Sequence, residues 1–105
     1  MKTDRELLEL AAKAAGIEIV PCTCHYEKWP FKYAEGQGKR GHWNPLTDDG
    51  DALRLAVKLG FTVEPGKCWH SPYGPAFGED VLCGEMKATR RAIVRAAAAI
   101  GESMQ

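Results

Sequence analysis

Four cysteines and three histidines are the side chains of this 105-residue sequence with the most direct chemistry. Cys22, Cys24 and His25 stand together, Cys68 and His70 are two apart, and His42 and Cys83 lie elsewhere. Thiolate and imidazole are the ligands zinc prefers, so the set is a candidate metal site. Its spacings, Cys-x-Cys-His and Cys-x-His, differ from the gaps of about two to four residues usual in small zinc modules. On an extended backbone, Cys22 and Cys24 share one face while His25 points to the other. That alternation also parts the Cys24 thiol from the neighbouring imidazole, which nucleophilic catalysis would need as its base. The expectation is no metal and no cofactor, with Cys22, Cys68 and Cys83 as small apolar groups on strands. A zinc-binding small domain is the alternative.

The carboxylates lead to a similar result. Asp48-Asp49-x-Asp51 lacks the remaining ligands of a calcium loop and fits a helix start, where acidic oxygens meet free N–H groups and the positive end of the helix dipole. Gly-x-Ser-x-Gly, a phosphate-cradling glycine loop and His-Glu-x-x-His are all missing from the sequence. No catalytic residue is assigned, and the chain is not expected to be an enzyme.

Binding is better served. All nine aromatic residues fall outside the predicted helices. Sheet preference explains part of this, and Trp43 and Phe61 read as core. Tyr26, Trp29, Tyr33, Trp69 and Tyr73, however, sit among Pro and Gly near Lys39, Arg40, His42 and His70. Flat rings beside cations can stack a base and hold a phosphate. Together with Arg90, which could reach a pocket shared between protomers, Tyr26, Trp29, Tyr33, His42, Trp69, His70 and Tyr73 form the candidate ligand-binding set.

Three helices and a small sheet must position these residues. Thr3-Asp4-Arg5-Glu6 is a capping box, after which Leu7, Leu8, Ala11, Ala12, Ala14 and Ala15 recur at helical spacing up to Gly16. Ile17 to Val20 read as a strand stopped by Pro21, and Cys22 to Gly41 as an irregular hairpin with a glycine-rich tip. A second helix covers Asp49 to Leu59, with Leu53, Ala56, Val57 and Gly60 on the packed face and Asp51, Arg54 and Lys58 on the wet one. Phe61 to Glu64 resume a strand, Pro65-Gly66 suit a type II turn, and Lys67 to His70 return. A Pro/Gly loop from Ser71 to Pro75 precedes a last strand near Asp80 to Cys83. The third helix, Met86 to Ile100, is alanine-rich, carries Lys87, Arg91 and Arg95 as a basic stripe, and ends at Gly101. The result is an α+β domain: a three-layer α/β/α sandwich of about four mainly antiparallel strands and three helices, the first and third sharing a face.

The length suits a single domain over residues 1–105. Lys+Arg and Asp+Glu both number 14, so overall charge points neither to direct nucleic-acid binding nor to an acidic membrane surface. The N-terminus lacks an apolar leader core and no run is long enough for a membrane span. A cytoplasmic protein with free thiols is expected.

Three blocks carry a resemblance to a known family. They are Asp4 to Ile17 (DRELLELAAKAAGI), Trp43 to Leu59 (WNPLTDDGDALRLAVKL) and Ala88 to Gly101 (ATRRAIVRAAAAIG), in that order and covering about half the chain. They resemble small bacteriophage and prophage proteins of the phage ABA sandwich domain family. The resemblance implies a helix/sheet/helix sandwich in a phage accessory protein of the infected bacterial cytoplasm, and transfers no active-site residue. Residues 21–41 lie outside it.

The functional expectation is therefore a non-enzymatic phage protein, acting in counter-defence by sequestering a small nucleotide-like ligand, with a homo-oligomer possible. The alternative is a protein-interaction inhibitor of a host defence effector, of the anti-CRISPR type. Replacing Trp29 or Trp69 with Ala should weaken binding by about 2 kcal/mol where the ring is an anchor, whereas Lys87→Ala should have little effect. Calorimetric titration alongside melting curves checks this; normal binding by both folded Trp variants contradicts it.

Overall fold

Capping chemistry sets the first two helices. In this computed structural model, which describes residues 3–21, 31–33, 41–64, 67–69, 76–78 and 85–104 (67–69 and 76–78 by their backbone), α1 runs over Asp4–Ala15. The Thr3 hydroxyl accepts the Glu6 N–H at 3.2 Å, and the Glu6 carboxylate accepts the Thr3 N–H at 3.4 Å. Both satisfy donors that a helix start leaves free. Gly16 closes α1 in the left-handed region at φ 68°. In α2 (Asp49–Leu59), Asp48 accepts the N–H of Asp51 at 2.8 Å, and Gly60 is the left-handed cap at φ 70°. The third helix, α3, spans Glu85–Ser103.

The strands pair antiparallel in two sheets. β1 (Ile19–Pro21), β2 (Phe31–Tyr33) and β3 (His42–Trp43) form one, in that order, with Val20 opposite Lys32, Phe31 opposite Trp43 and Lys32 opposite His42. β4 (Thr62–Glu64), β5 (Lys67–Trp69) and β6 (Ala76–Gly78) form the other, with Glu64 opposite Lys67 and Cys68 opposite Phe77. Three helices with antiparallel strands make this an α+β fold, as the sequence predicts. The described strands number six rather than about four, because pairing is local on each side of α2 and yields two sheets. Pro21 ends β1 as its last residue rather than as the first residue beyond it, and the strand begins at Ile19 rather than Ile17. The final described strand is Ala76–Gly78; the predicted strand near Asp80 to Cys83, the Pro65-Gly66 turn and the loop 71–75 lie outside the described residues.

The core joins Leu7, Leu8, Ala11, Ala12 and Ala15 of α1 to Ala92, Ile93, Val94 and Ala96 to Ala98 of α3, with Phe31, Trp43, Ala52, Leu55 and Ala56 buried in the same cluster. Two sequence expectations are corrected here. In α2 the packed face is Ala52, Leu55 and Ala56 with Asp51, whereas Leu53 and Val57 face solvent, 63% and 72% exposed. The helix is rotated from the predicted phase because Asp51 is drawn inside by hydrogen-bond partners. In α3, Gly101 is an interior residue, not the end. A Cβ built there would lie 2.0 Å from the carbonyl oxygen of Leu10, so this position serves close approach of two helices rather than chain reversal. Polar clasps flank that approach: Arg91 to Asp4 at 3.0 Å, and the Lys13 ammonium donating to the Met104 carbonyl at 2.8 Å. Arg91 of the predicted basic stripe is thus an α1 contact.

Gly101→Ala should therefore lower stability by about 3 kcal/mol, since overpacking against backbone cannot be relieved by a rotamer change. Gly16→Ala, strained in φ but meeting nothing within 4 Å among the described residues, should lose only about 1 kcal/mol. Urea unfolding of both variants tests the ranking; equal losses would remove the backbone contact as the cause.

Candidate ligand site at the start of α2

The segment between β3 and α2 folds around Asn44 and Asp51. Pro45 cannot extend the strand, and the Asn44 side-chain oxygen accepts the Leu46 N–H at 3.0 Å while its carbonyl accepts the N–H groups of Thr47 and Asp48 at 3.1 and 2.9 Å. Asp51 is only 4% exposed. Its Oδ2 accepts the Asn44 N–H at 2.9 Å and its Oδ1 accepts from Arg54 Nη2 at 2.7 Å. A buried carboxylate needs such partners, and charge-assisted bonds of this length are the strong kind.

Gly50 makes room for the guanidinium. A Cβ at residue 50 would lie 3.2 Å from both terminal nitrogens of Arg54 and from Asp48 Oδ2. The planar group therefore lies over the glycine, 2.7 Å from Asp51 and 3.8 Å from Asp48, with 61% of the side chain still exposed. Tyr33 completes the corner. Its burial pushes the phenol above its ordinary pKa, the Asp51 charge pushes the same way, and the Arg54 guanidinium opposes both through charge and a hydrogen bond. The hydrogen bond to Asp51 in turn raises Arg54 against its slight desolvation. The arrangement fixes an exposed, flat, hydrogen-bond-donating cation beside an aromatic ring. It is suited to gripping a planar or singly anionic group.

The predicted set is only partly brought to this corner. Tyr33 belongs to it. His42, one strand over, pairs with Lys32 on the face opposite Phe31 and Trp43 and is exposed, so it points away from Tyr33. Arg90 is a clasp between α3 and the α2 start: Nε donates to the Leu46 carbonyl at 2.9 Å, Nη1 pairs with Asp49, and 18% of the side chain is exposed. Trp69 has its backbone in β5, opposite Thr62 and Ala76. Tyr26, Trp29, His70 and Tyr73 lie outside the described residues, as do Cys22, Cys24, His25 and Cys83.

Sequence reading missed Arg54 and Asp51 as site residues. The available signal was Asp48-x-Gly50-Asp51-x-x-Arg54, an acid and base one helical turn apart with glycine where the guanidinium lies. Among the described residues, no group of three His, Cys, Asp or Glu is placed to hold a metal ion, and no helix is long and apolar enough to cross a membrane. Compared with protein-family models, curated proteins and solved structures, the chain gives no match.

The raised phenol gives a pH signature. The folded protein holds the Tyr33 proton to higher pH than the unfolded chain, so this contribution to stability is fully present below about pH 10 and is lost as pH rises through the folded value. The stability difference between the wild type and Tyr33→Phe should shrink in favour of the variant from about pH 9 to about pH 11. Urea unfolding across that range is the measurement, and a difference moving the other way would contradict the assignment.

Proposed function

We propose that this chain is a non-enzymatic binding protein that captures a small nucleotide-like ligand at the Tyr33–Arg54 corner. The carrying observation is the Arg54 guanidinium, oriented by the buried Asp51 carboxylate at 2.7 Å yet largely exposed beside Tyr33. Preorganisation lowers the ordering cost of binding, and the guanidinium fork suits two adjacent acceptors, as on a guanine edge or a phosphate. With Asp48 and Asp51 both beside Arg54, the corner carries a net formal charge of about −1, which favours the uncharged base of a nucleotide over a nucleic-acid backbone. The resemblance to phage ABA sandwich proteins supports a biological setting: a bacteriophage accessory protein in the infected host cytoplasm, sequestering a signal of the host's defence without converting it. A second reading, a protein-interaction inhibitor of a host defence effector, is favoured by one observation, the exposed Leu53 and Val57.

Native mass spectrometry of protein made in bacteria, followed by calorimetric titration with guanosine and adenosine monophosphates, tests the first reading. Retained or titrated nucleotide, weakened at least about tenfold by Arg54→Lys, is the expected result; that change keeps a cation for Asp51 but removes the fork. A wild type that retains nothing and binds neither nucleotide overturns it, and multiple turnover of either nucleotide overturns the non-enzymatic assignment.

A further inference from the structure

The outer face of α2 carries a pattern that matches its own reverse. Gly50, Leu53, Val57 and Gly60 follow one another at intervals of three, four and three residues, so the row reads the same from either end. Leu53 and Val57, its middle members, are the most exposed large apolar side chains among the described residues. Its ends differ in charge. The Arg54 guanidinium lies over Gly50, while among the described residues nothing comes within 4 Å of a Cβ built at Gly60. One end carries an exposed cation and the other is open backbone at the helix C-terminus, where the carbonyl ends carry partial negative charge.

We infer that the α2 outer face packs against α2 of a second copy of this chain, antiparallel about a two-fold axis. Self-complementarity is what such an interface demands, since one patch must fit itself. The antiparallel arrangement sets Leu53 against Val57 of the other copy on both sides of the axis, with the spacing of a short helix-pair seam. It sets each Arg54 guanidinium near the other copy's Gly60, against the negative helix end, and opposes the two helix dipoles. A parallel arrangement would put the two guanidinium groups together at one end and the two negative helix ends together at the other. The acidic start (Asp48, Asp49) and the basic end (Lys58) also come opposite one another only in the antiparallel pairing. The contact is one helix wide, so the dimer is weak and concentration-dependent. This inference goes beyond the ligand reading, and Arg54 stands at the boundary between the two surfaces.

Sedimentation velocity of the full chain, from about 5 to about 500 µM, tests it. The wild type should shift from monomer toward dimer across that range, and Leu53→Asp with Val57→Asp should remain monomeric at every concentration with helical content intact. Val57→Asp alone, at a position 72% exposed, covers the case in which the double variant misfolds; it too should weaken the dimer at least about tenfold. A wild type monomeric throughout, a dimer unaffected by Val57→Asp, or a monomeric wild type whose capture of a host protein depends on Val57 would each overturn the inference. Nucleotide titration of the monomeric variant keeps the two proposals apart, because binding there leaves the ligand reading standing whatever the masses show.

Discussion

Backbone contact between α1 and α3 is the constraint on which the rest of the structure depends. With no side chain at residue 101, the carbonyl of Leu10 occupies the space a Cβ would take, and the two helix axes come closer than ordinary side chains permit. Alanines on both helices continue the narrow separation along the seam, and the small side chains lose little conformational entropy on burial. Close packing of this kind stabilises through many weak dispersion contacts rather than a few large apolar groups. The large groups that are buried, Leu8, Val94, Leu55 and Trp43, then knit the helix pair to α2 and to the first sheet.

A second constraint is polar. Asp51 is a buried charge held by the backbone of Asn44 on one side and by Arg54 on the other. Arg90 reaches from α3 to the Leu46 carbonyl and to Asp49 in the same short segment. The start of α2 is therefore tied to α3 and to the end of β3 by directional bonds, which specify position more sharply than apolar burial does. Rigidity at this point makes an exposed guanidinium a fixed feature of the surface instead of a mobile one. Across α1 and β2, the guanidinium of Arg5 lies 5.0 Å from the centre of the buried Phe31 ring, a cation–π contact that seats the first sheet against the first helix.

What could be read from sequence follows from the range of the forces involved. Thr3 with Glu6, Asp48 with the N–H of Asp51, and the left-handed Gly16 and Gly60 are local devices complete within a few residues, and their helices begin or end accordingly. Antiparallel pairing around residues 65–66 was legible for the same reason. The rotation of α2 was not: its apolar residues allow two phases, and the choice lies with Asn44, whose N–H draws Asp51 inward from seven residues away. Gly101 carries the composition of a helix end, and only the proximity of Leu10 gives it another role. Tyr33 was recognisable as an aromatic among cations, but its relevant cation is Arg54 on α2, not His42, because alternation along β2 and β3 sends His42 to the opposite face. Arg90 was legible as a cation near the site, though not as a clasp, since its acceptors are a backbone oxygen and a capping-region carboxylate.

The partners Lys13 and Met104 are 91 residues apart, and the whole α1–α3 seam has this long range. α1 is made well before α3, and although α2 and the first sheet share its core, the seam itself can close only when both helices are present. Bringing together partners so distant in sequence costs loop-closure entropy that no local helix has to meet, the property that slows folding in chains rich in distant contacts. Until that seam closes, Leu7, Leu8 and Ala11 keep apolar surface uncovered, of the kind that chaperones recognise. The tightest packing in the fold thus joins residues that are among the most distant in sequence.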